Sequence, residues 1–110
     1  MYVPDRGDLV WLNFTPQSGY EQKGKRPAIV LSPLEYNQKV GLAIFCPITS
    51  KEKGYPFEVK LPKKSKLKGV ILSDQMKSLD WQSRKTKFIE KTDLNTVYKC
   101  LQKVMVLLQM

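Results

Sequence analysis

The hydrophobic period of this chain changes once, near Thr92, and that change limits its fold more than any other feature. Up to Glu90 the apolar residues alternate with polar ones or come in short runs, the two patterns of β-strands. "DLVWLNF" (Asp8–Phe14) and "FEVKL" (Phe57–Leu61) alternate. "RPAIVLS" (Arg26–Ser32), "LAIFCPIT" (Leu42–Thr49) and "VILSD" (Val70–Asp74) are nearly continuous and read as buried strands, with "TKFIE" (Thr86–Glu90) as the last. Pro27 lacks an N–H for the ladder and belongs at the beginning of its strand. Beyond Thr92 the spacing becomes three and four: Leu94, Val97, Tyr98, Leu101, Val104, Met105 and Leu108 form one stripe of a helix. Thr92 is the predicted N-cap, and Asp93 suits the positive end of the helix. Short strands followed by one helix predict a mainly β fold. It is a small barrel or strongly bent sheet with the helix packed outside, its stripe buried on the sheet or on another subunit.

No repeat and no linker interrupts the 110 residues, so residues 1–110 are expected to form one domain. Thr15–Lys25 reads as a loop rich in Gly, Pro and Ser, long for a hairpin, and long loops in small domains often carry function. "PLEYNQKVG" reads as a turn with one helical turn after Pro33, "PKKSKLKG" as a basic turn, and "QMKSLDWQSRK" as irregular or weakly helical.

The formal charge of +9, from 19 basic and 10 acidic residues, favours a polyanionic partner. No apolar run reaches the roughly 18 residues of a membrane span, and the N-terminus lacks the apolar core of a signal peptide; a cytoplasmic protein is expected. Cys46 and Cys100 sit in apolar runs and read as buried thiols rather than a disulfide. With two cysteines and no histidine, neither a zinc site nor any cofactor is expected. The missing histidine also removes the commonest acid–base group, leaving carboxylate, hydroxyl, lysine or arginine.

Glu21, Lys25 and Arg26 stand where the long loop enters a buried strand. Arg26 presents a planar fork of donors suited to phosphate oxygens, and Glu21 can accept a proton. The plainer reading is a solvated ion pair worth about 0–1 kcal/mol. Thr49 and Ser50 close the "FCPITS" strand, where a hydroxyl can serve a phosphate or simply cap its own backbone. Seven lysines crowd "KEKGYPFEVKLPKKSKLK", and Lys77, Arg84, Lys85 and Lys87 surround Trp81. A tryptophan among cations can stack on an unpaired base; the Lys63–Lys68 turn reads better as a wet face. Trp11 fits a groove or the core equally well.

Together, "VPDRGDLVWLNF", "GYEQKGKRPAIVLSPLEYN", "PITS", "GYPFEV" and "DQMKSLDWQSR" resemble the MazF/PemK family of toxin endoribonucleases, in order and across nearly the whole chain. The resemblance implies a small SH3-like β-barrel with a C-terminal helix, working as a homodimer. It implies metal-independent, sequence-specific cleavage of single-stranded RNA, leaving a 2′,3′-cyclic phosphate and a 5′-hydroxyl, and an acidic MazE-like antitoxin that covers the RNA groove. The family's catalytic arginine, threonine and loop glutamate fall on Arg26, Thr49 and Glu21. The expected RNA contacts are Gln22, Lys25, Ser50, Lys53, Gln75, Lys77, Trp81 and Arg84. Some members have a histidine before the arginine; Lys25 stands there, which leaves open the group that protonates the leaving oxygen. The competing functions are a gyrase poison on the related CcdB-like barrel, which cuts nothing, and a plain RNA-binding barrel.

Overall fold

The computed structural model describes residues 1–15 and 24–110. Among these, seven strands form one bent antiparallel sheet. They are β1 (Asp8–Asn13), β2 (Lys25–Val30), β3 (Leu42–Thr49), β4 (Glu58–Lys60), β5 (Val70–Leu72), β6 (Lys77–Asp80) and β7 (Lys87–Lys91). Helix α1 (Leu34–Val40) joins β2 to β3, and α2 (Leu94–Gln109) ends the chain. The order along the sheet is β4-β5-β3-β2-β1-β7, with β6 also paired to β3. Among the described residues no ladder joins β4 to β7, so the expected barrel is a strongly bent sheet that does not close.

The continuous apolar runs are explained by two cores on opposite faces of the central strands. Leu9, Ile29, Leu31, Cys46 and Ile48 pack with Val97, Cys100 and Val104 of α2. Their strand neighbours Val10, Ala28, Val30, Ala43 and Phe45 pack with Leu12, Phe14 and Trp81. Successive residues of a strand point to opposite faces, so two buried faces erase the polar half of the pattern. Both cysteines are free and buried. Burial pushes the Cys46 thiol far above its ordinary value and that of Cys100 to about 12.

Three elements depart from the sequence-based expectation. The strand expected over Val70–Asp74 ends at Leu72 in a 3₁₀ turn, Ser73–Gln75, and the segment after it, read as irregular or weakly helical, holds β6, which pairs Leu42↔Asp80 through Phe45↔Lys77. The turn after Pro33 extends to seven residues, because Asp5 Oδ1 accepts from the Leu34 N–H at 2.9 Å and stabilises the first turn from a distant segment. In α2 the N-cap is Asp93 rather than Thr92: its carboxylate accepts from the Thr96 N–H at 3.0 Å, while the Thr92 N–H donates to the Gly7 carbonyl. The stripe also divides. Val97 and Val104 are buried, with Cys100, on the sheet, whereas Leu94, Tyr98, Met105 and Leu108 are 54–72% exposed. None of the described helices is long and apolar enough to cross a membrane.

A buried polar knot secures the far side. Asn37 is fully buried; its amide donates to the Pro4 and Ser32 carbonyls, and its side-chain oxygen accepts from the Ser32 hydroxyl. The Asn37 carbonyl in turn accepts from the Trp81 indole N–H at 2.9 Å. Every member is satisfied, which is the condition under which a buried network rigidifies a fold.

Candidate nucleic-acid interface

The register of β2 and β3 builds the site. The strands pair at Ala28↔Pro47, Ile29↔Cys46 and Val30↔Phe45. Carried two residues further, that register sets Arg26 against Thr49. The β2–β3 ladder stops short of that pair, while on its other edge β3 continues beside β5, pairing Ile48↔Ile71 and Thr49↔Val70. The parting strands leave a cleft of about 340 Å³ lined by Arg26, Thr49, Ser50, Trp11, Lys25 and Lys68, among others.

Arg26 is exposed at the opening of β2, where its side chain can leave the sheet. Thr49 is nearly buried, and its Oγ1 accepts from the Lys51 N–H at 3.2 Å. That backbone bond is the plain role anticipated for the residue. It occupies one acceptor site of the hydroxyl and leaves the O–H to donate, because a hydroxyl has one donor and two acceptor positions. Trp11, opposite Pro27 on the neighbouring strand, is 37% exposed and belongs to the cleft.

Two further clefts meet this one. Lys25 is shared with a cleft lined by Asn13, Arg84, Lys85 and Lys87. Thr49 is shared with another lined by Lys51, Lys53, Tyr55, Asp74 and Gln75. The result is one track that passes from Arg84 through Lys25, Arg26 and Thr49 to Lys53, cationic over most of its length. In the third cleft burial and a hydrogen bond to Asp74 push the Tyr55 phenol up to about 12, so its O–H stays a donor.

The expected residues fare differently. Arg26, Thr49, Ser50 and Lys25 come together in the central cleft, and Lys53 and Gln75 in the adjoining one. Lys77 begins β6 opposite Phe45 and lines none of the three clefts. Trp81 is not an RNA-stacking residue: it is 6% exposed in the second core, and its indole N–H is spent on the Asn37 carbonyl. Arg84 borders the track, yet its guanidinium donates to the Asn13 and Thr15 carbonyls at 3.1 and 2.9 Å. Together with the Gly24 N–H bonded to Thr15 Oγ1, this fastens both ends of the β1–β2 connection. Glu21 and Gln22 lie outside the described residues.

Sequence reasoning missed one wall. The turn 62–69, read as a wet face, brings Leu67 and Lys68 into the cleft. Gly69 has φ +119°, and a Cβ there would stand 2.1 Å from the Thr49 carbonyl oxygen. The available signal was a glycine directly before the buried "VIL", which marks a close approach of backbone. Among the described residues no group of three or more His, Cys, Asp or Glu is placed to hold a metal.

A small bent sheet carrying a basic track, with a guanidinium and a hydroxyl at its centre, has the charge and donors that suit a polyanion. The chain belongs to the family described as PemK-like, MazF-like toxin of type II toxin-antitoxin system, whose model matches residues 5–108. It is 53% identical over 83 residues to the endoribonuclease toxin MazF of Escherichia coli (strain K12), covering 76% of this chain and 74% of that protein. It is 35% identical over 91 residues to the endoribonuclease toxin ChpB of the same organism, covering 77% of each. The crystal structure of MazF from Deinococcus radiodurans superposes with a TM-score of 0.96 at 51% identity, covering 100% of both chains. A MazE–MazF complex from that organism gives 0.88 at 46% identity, covering 100% of this chain and 99% of that one.

Proposed function

We propose that this protein is a cytoplasmic toxin endoribonuclease that cuts single-stranded RNA at a short sequence, without a metal, and so halts translation and growth. The carrying observation is the single cleft that holds both Arg26 and Thr49. In RNA the 2′-hydroxyl attacks its own neighbouring phosphate, so the protein need supply neither nucleophile nor metal. It has to align the attack, remove a proton and stabilise the charge of the phosphorane. Arg26 provides the fork for the non-bridging oxygens, and the Thr49 O–H donates to the same group. Glu21 takes the proton from the 2′-hydroxyl. The 5′-oxygen leaves with a proton from Lys25 or from solvent, since an arginine does not give one up. The products are a 2′,3′-cyclic phosphate and a 5′-hydroxyl.

On this reading the strand lies along the Arg84–Lys53 track, and a small acidic antitoxin covers the same track with carboxylates in place of phosphates. The relatives solved as MazE–MazF complexes support that partner. The single toxin domain, residues 1–110, pairs as a homodimer, for which the exposed Leu94, Tyr98, Met105 and Leu108 of α2 are the supporting observation. Purified protein incubated with single-stranded RNA in excess chelator should yield fragments with 5′-hydroxyl and cyclic phosphate ends. RNA that is bound but left intact would point to a binding barrel and overturn the nuclease reading.

A further inference from the structure

The wall of the cleft contributed by the turn 62–69 is held by a residue outside the cleft. Glu90, on β7, accepts from the Ser65 hydroxyl at 2.5 Å and from the Lys66 N–H at 2.9 Å, both through the same oxygen, Oε2. Ser65 passes the constraint on: it is nearly buried, and its Oγ accepts from the Leu67 N–H at 3.2 Å. Inside the turn the Ser65 N–H donates to the Pro62 carbonyl, and the Lys68 ammonium donates to the Lys63 carbonyl at 3.2 Å. The turn ends with the Gly69 carbonyl accepting from the Leu61 N–H. Leu67 packs against the core under α2 while Lys68, the next residue, is exposed along the cleft with Arg26 and Thr49. One bond to the Lys63 carbonyl leaves the Lys68 ammonium two further donors.

A carboxylate is an odd residue to keep beside a polyanion track, unless its work is to hold something. Here it restrains two consecutive residues of a glycine-ended turn whose last lysine lines the cleft with Arg26 and Thr49. We propose that Glu90 is a positioning residue of the RNA cleft: through Ser65 and the Lys66 N–H it sets the turn 62–69 so that Lys68 meets a phosphate of the strand lying across Arg26 and Thr49. The inference rests on the nuclease reading for its ligand, and adds to it a phosphate contact and the device that places it.

Charge and position predict opposite signs, which makes the idea testable. Removing a carboxylate near a polyanion site strengthens binding by electrostatics alone; removing the restraint weakens it. The probe is a random-sequence 2′-O-methyl single-stranded RNA, which lacks the nucleophile, with affinity read by fluorescence anisotropy over a series of salt concentrations. Lys68→Ala should weaken binding and reduce the slope of log K against log salt by about 0.7, the value for one phosphate contact on a single strand. Glu90→Ala should weaken binding several-fold although it adds net positive charge. Glu90→Gln should bind at least as tightly as the parent, because one amide oxygen can accept both bonds while the repelling charge is gone. Glu90→Ala added to Lys68→Ala should cost nothing more, since residues acting through one contact are not additive. Circular dichroism and Tm confirm that each variant is folded. An unchanged salt slope in Lys68→Ala, tighter binding by Glu90→Ala, or additive effects in the pair would overturn the proposal. A parent protein that fails to bind the probe would overturn this inference and the nuclease reading together; a parent that binds, with these variants indistinguishable from it, overturns this inference alone.

Discussion

Gly69 lies against the Thr49 carbonyl so closely that a single added carbon would stand 2.1 Å from that oxygen and 2.8 Å from Ser50 Cα. The obstructing atoms are backbone, so no rotamer change relieves them, and φ +119° disfavours any side chain. Gly69→Ala should therefore push Thr49 and Ser50 out of the cleft. We expect a loss of more than about 2 kcal/mol in stability and a fall in cleavage of at least ~10-fold in whatever fraction is folded. Gly54 is the control: φ is +84°, but nothing lies within 4 Å of its Cβ position. Gly54→Ala should cost only the backbone strain, about 1 kcal/mol, with cleavage unchanged per folded molecule. Equal effects at the two glycines, by urea denaturation and cleavage assay, would remove the case for a special contact at Thr49.

Arg26→Ala should lower the cleavage rate by about 10²–10³, the scale of a missing charge-stabilising donor. Its side chain is exposed, so Tm should hold. Arg26→Lys should recover little, since an ammonium cannot supply the bidentate fork. In the substrate, deoxyribose just 5′ of the scissile phosphate should abolish cutting at that bond and leave binding intact, while chelator leaves cutting of native RNA unchanged. Cleavage of the deoxy-substituted bond would assign the attack to water instead of the 2′-hydroxyl.

Acid should loosen the molecule before base does. Burial alone would raise the Asp5 carboxyl, but the Leu34 and Arg6 N–H groups and Lys91 outweigh it and hold it below its ordinary value. The Ser65 hydroxyl and Lys66 N–H depress Glu90, and Thr96 depresses Asp93. A carboxyl depressed in the folded state adds stability above its unfolded pKa, and that stability is lost as pH falls through the folded value. Tm should therefore decline below about pH 4. Lys91 has the opposite sign: burial lowers it, yet Asp8 and Asp5 raise it above 10.5, so its contribution is full below that pH and fades above it. These groups are partly exposed, so each effect is modest and screened by salt. Asp5→Asn should flatten the acid limb of Tm against pH; an unaltered limb would show that the α1 clasp carries no proton linkage.

The sequence disclosed what depends on neighbours in the chain and concealed what depends on neighbours in space. Strands β1, β2 and β3 announce themselves by apolar pattern, and α2 by its period. β6 does not, because "KSLD" has only Leu79 to bury and becomes a strand by pairing with Leu42–Phe45. The start of α1 depends on Asp5, 29 positions away from Leu34. In the site, Arg26 and Thr49 were legible as motif residues, and their shared cleft follows from the β2–β3 register. Lys68 and Gly69 were not, since a lysine-rich turn has the same composition whether it faces solvent or a substrate.

The two tryptophans make the sharpest contrast of this kind, because sequence context favoured the wrong one as the stacking residue. Trp81 stands among cations but is buried against Val10, Phe14 and Phe45 in the second core, with its N–H on Asn37. Trp11 stands in an apolar strand and yet opens onto the cleft with Arg26 and Thr49. Trp81→Phe should therefore lower stability by about 1–3 kcal/mol, through a lost buried hydrogen bond and lost volume, and leave RNA affinity alone. Trp11→Ala should instead weaken RNA binding by about 1–3 kcal/mol, the cost of a missing base stack, which is at least fivefold in affinity. Both variants can be followed by Tm and by anisotropy with an uncleavable strand. If Trp81→Phe weakens RNA binding while Trp11→Ala does not, the base-stacking surface lies on the opposite face of the sheet and the track through Arg26 is misplaced.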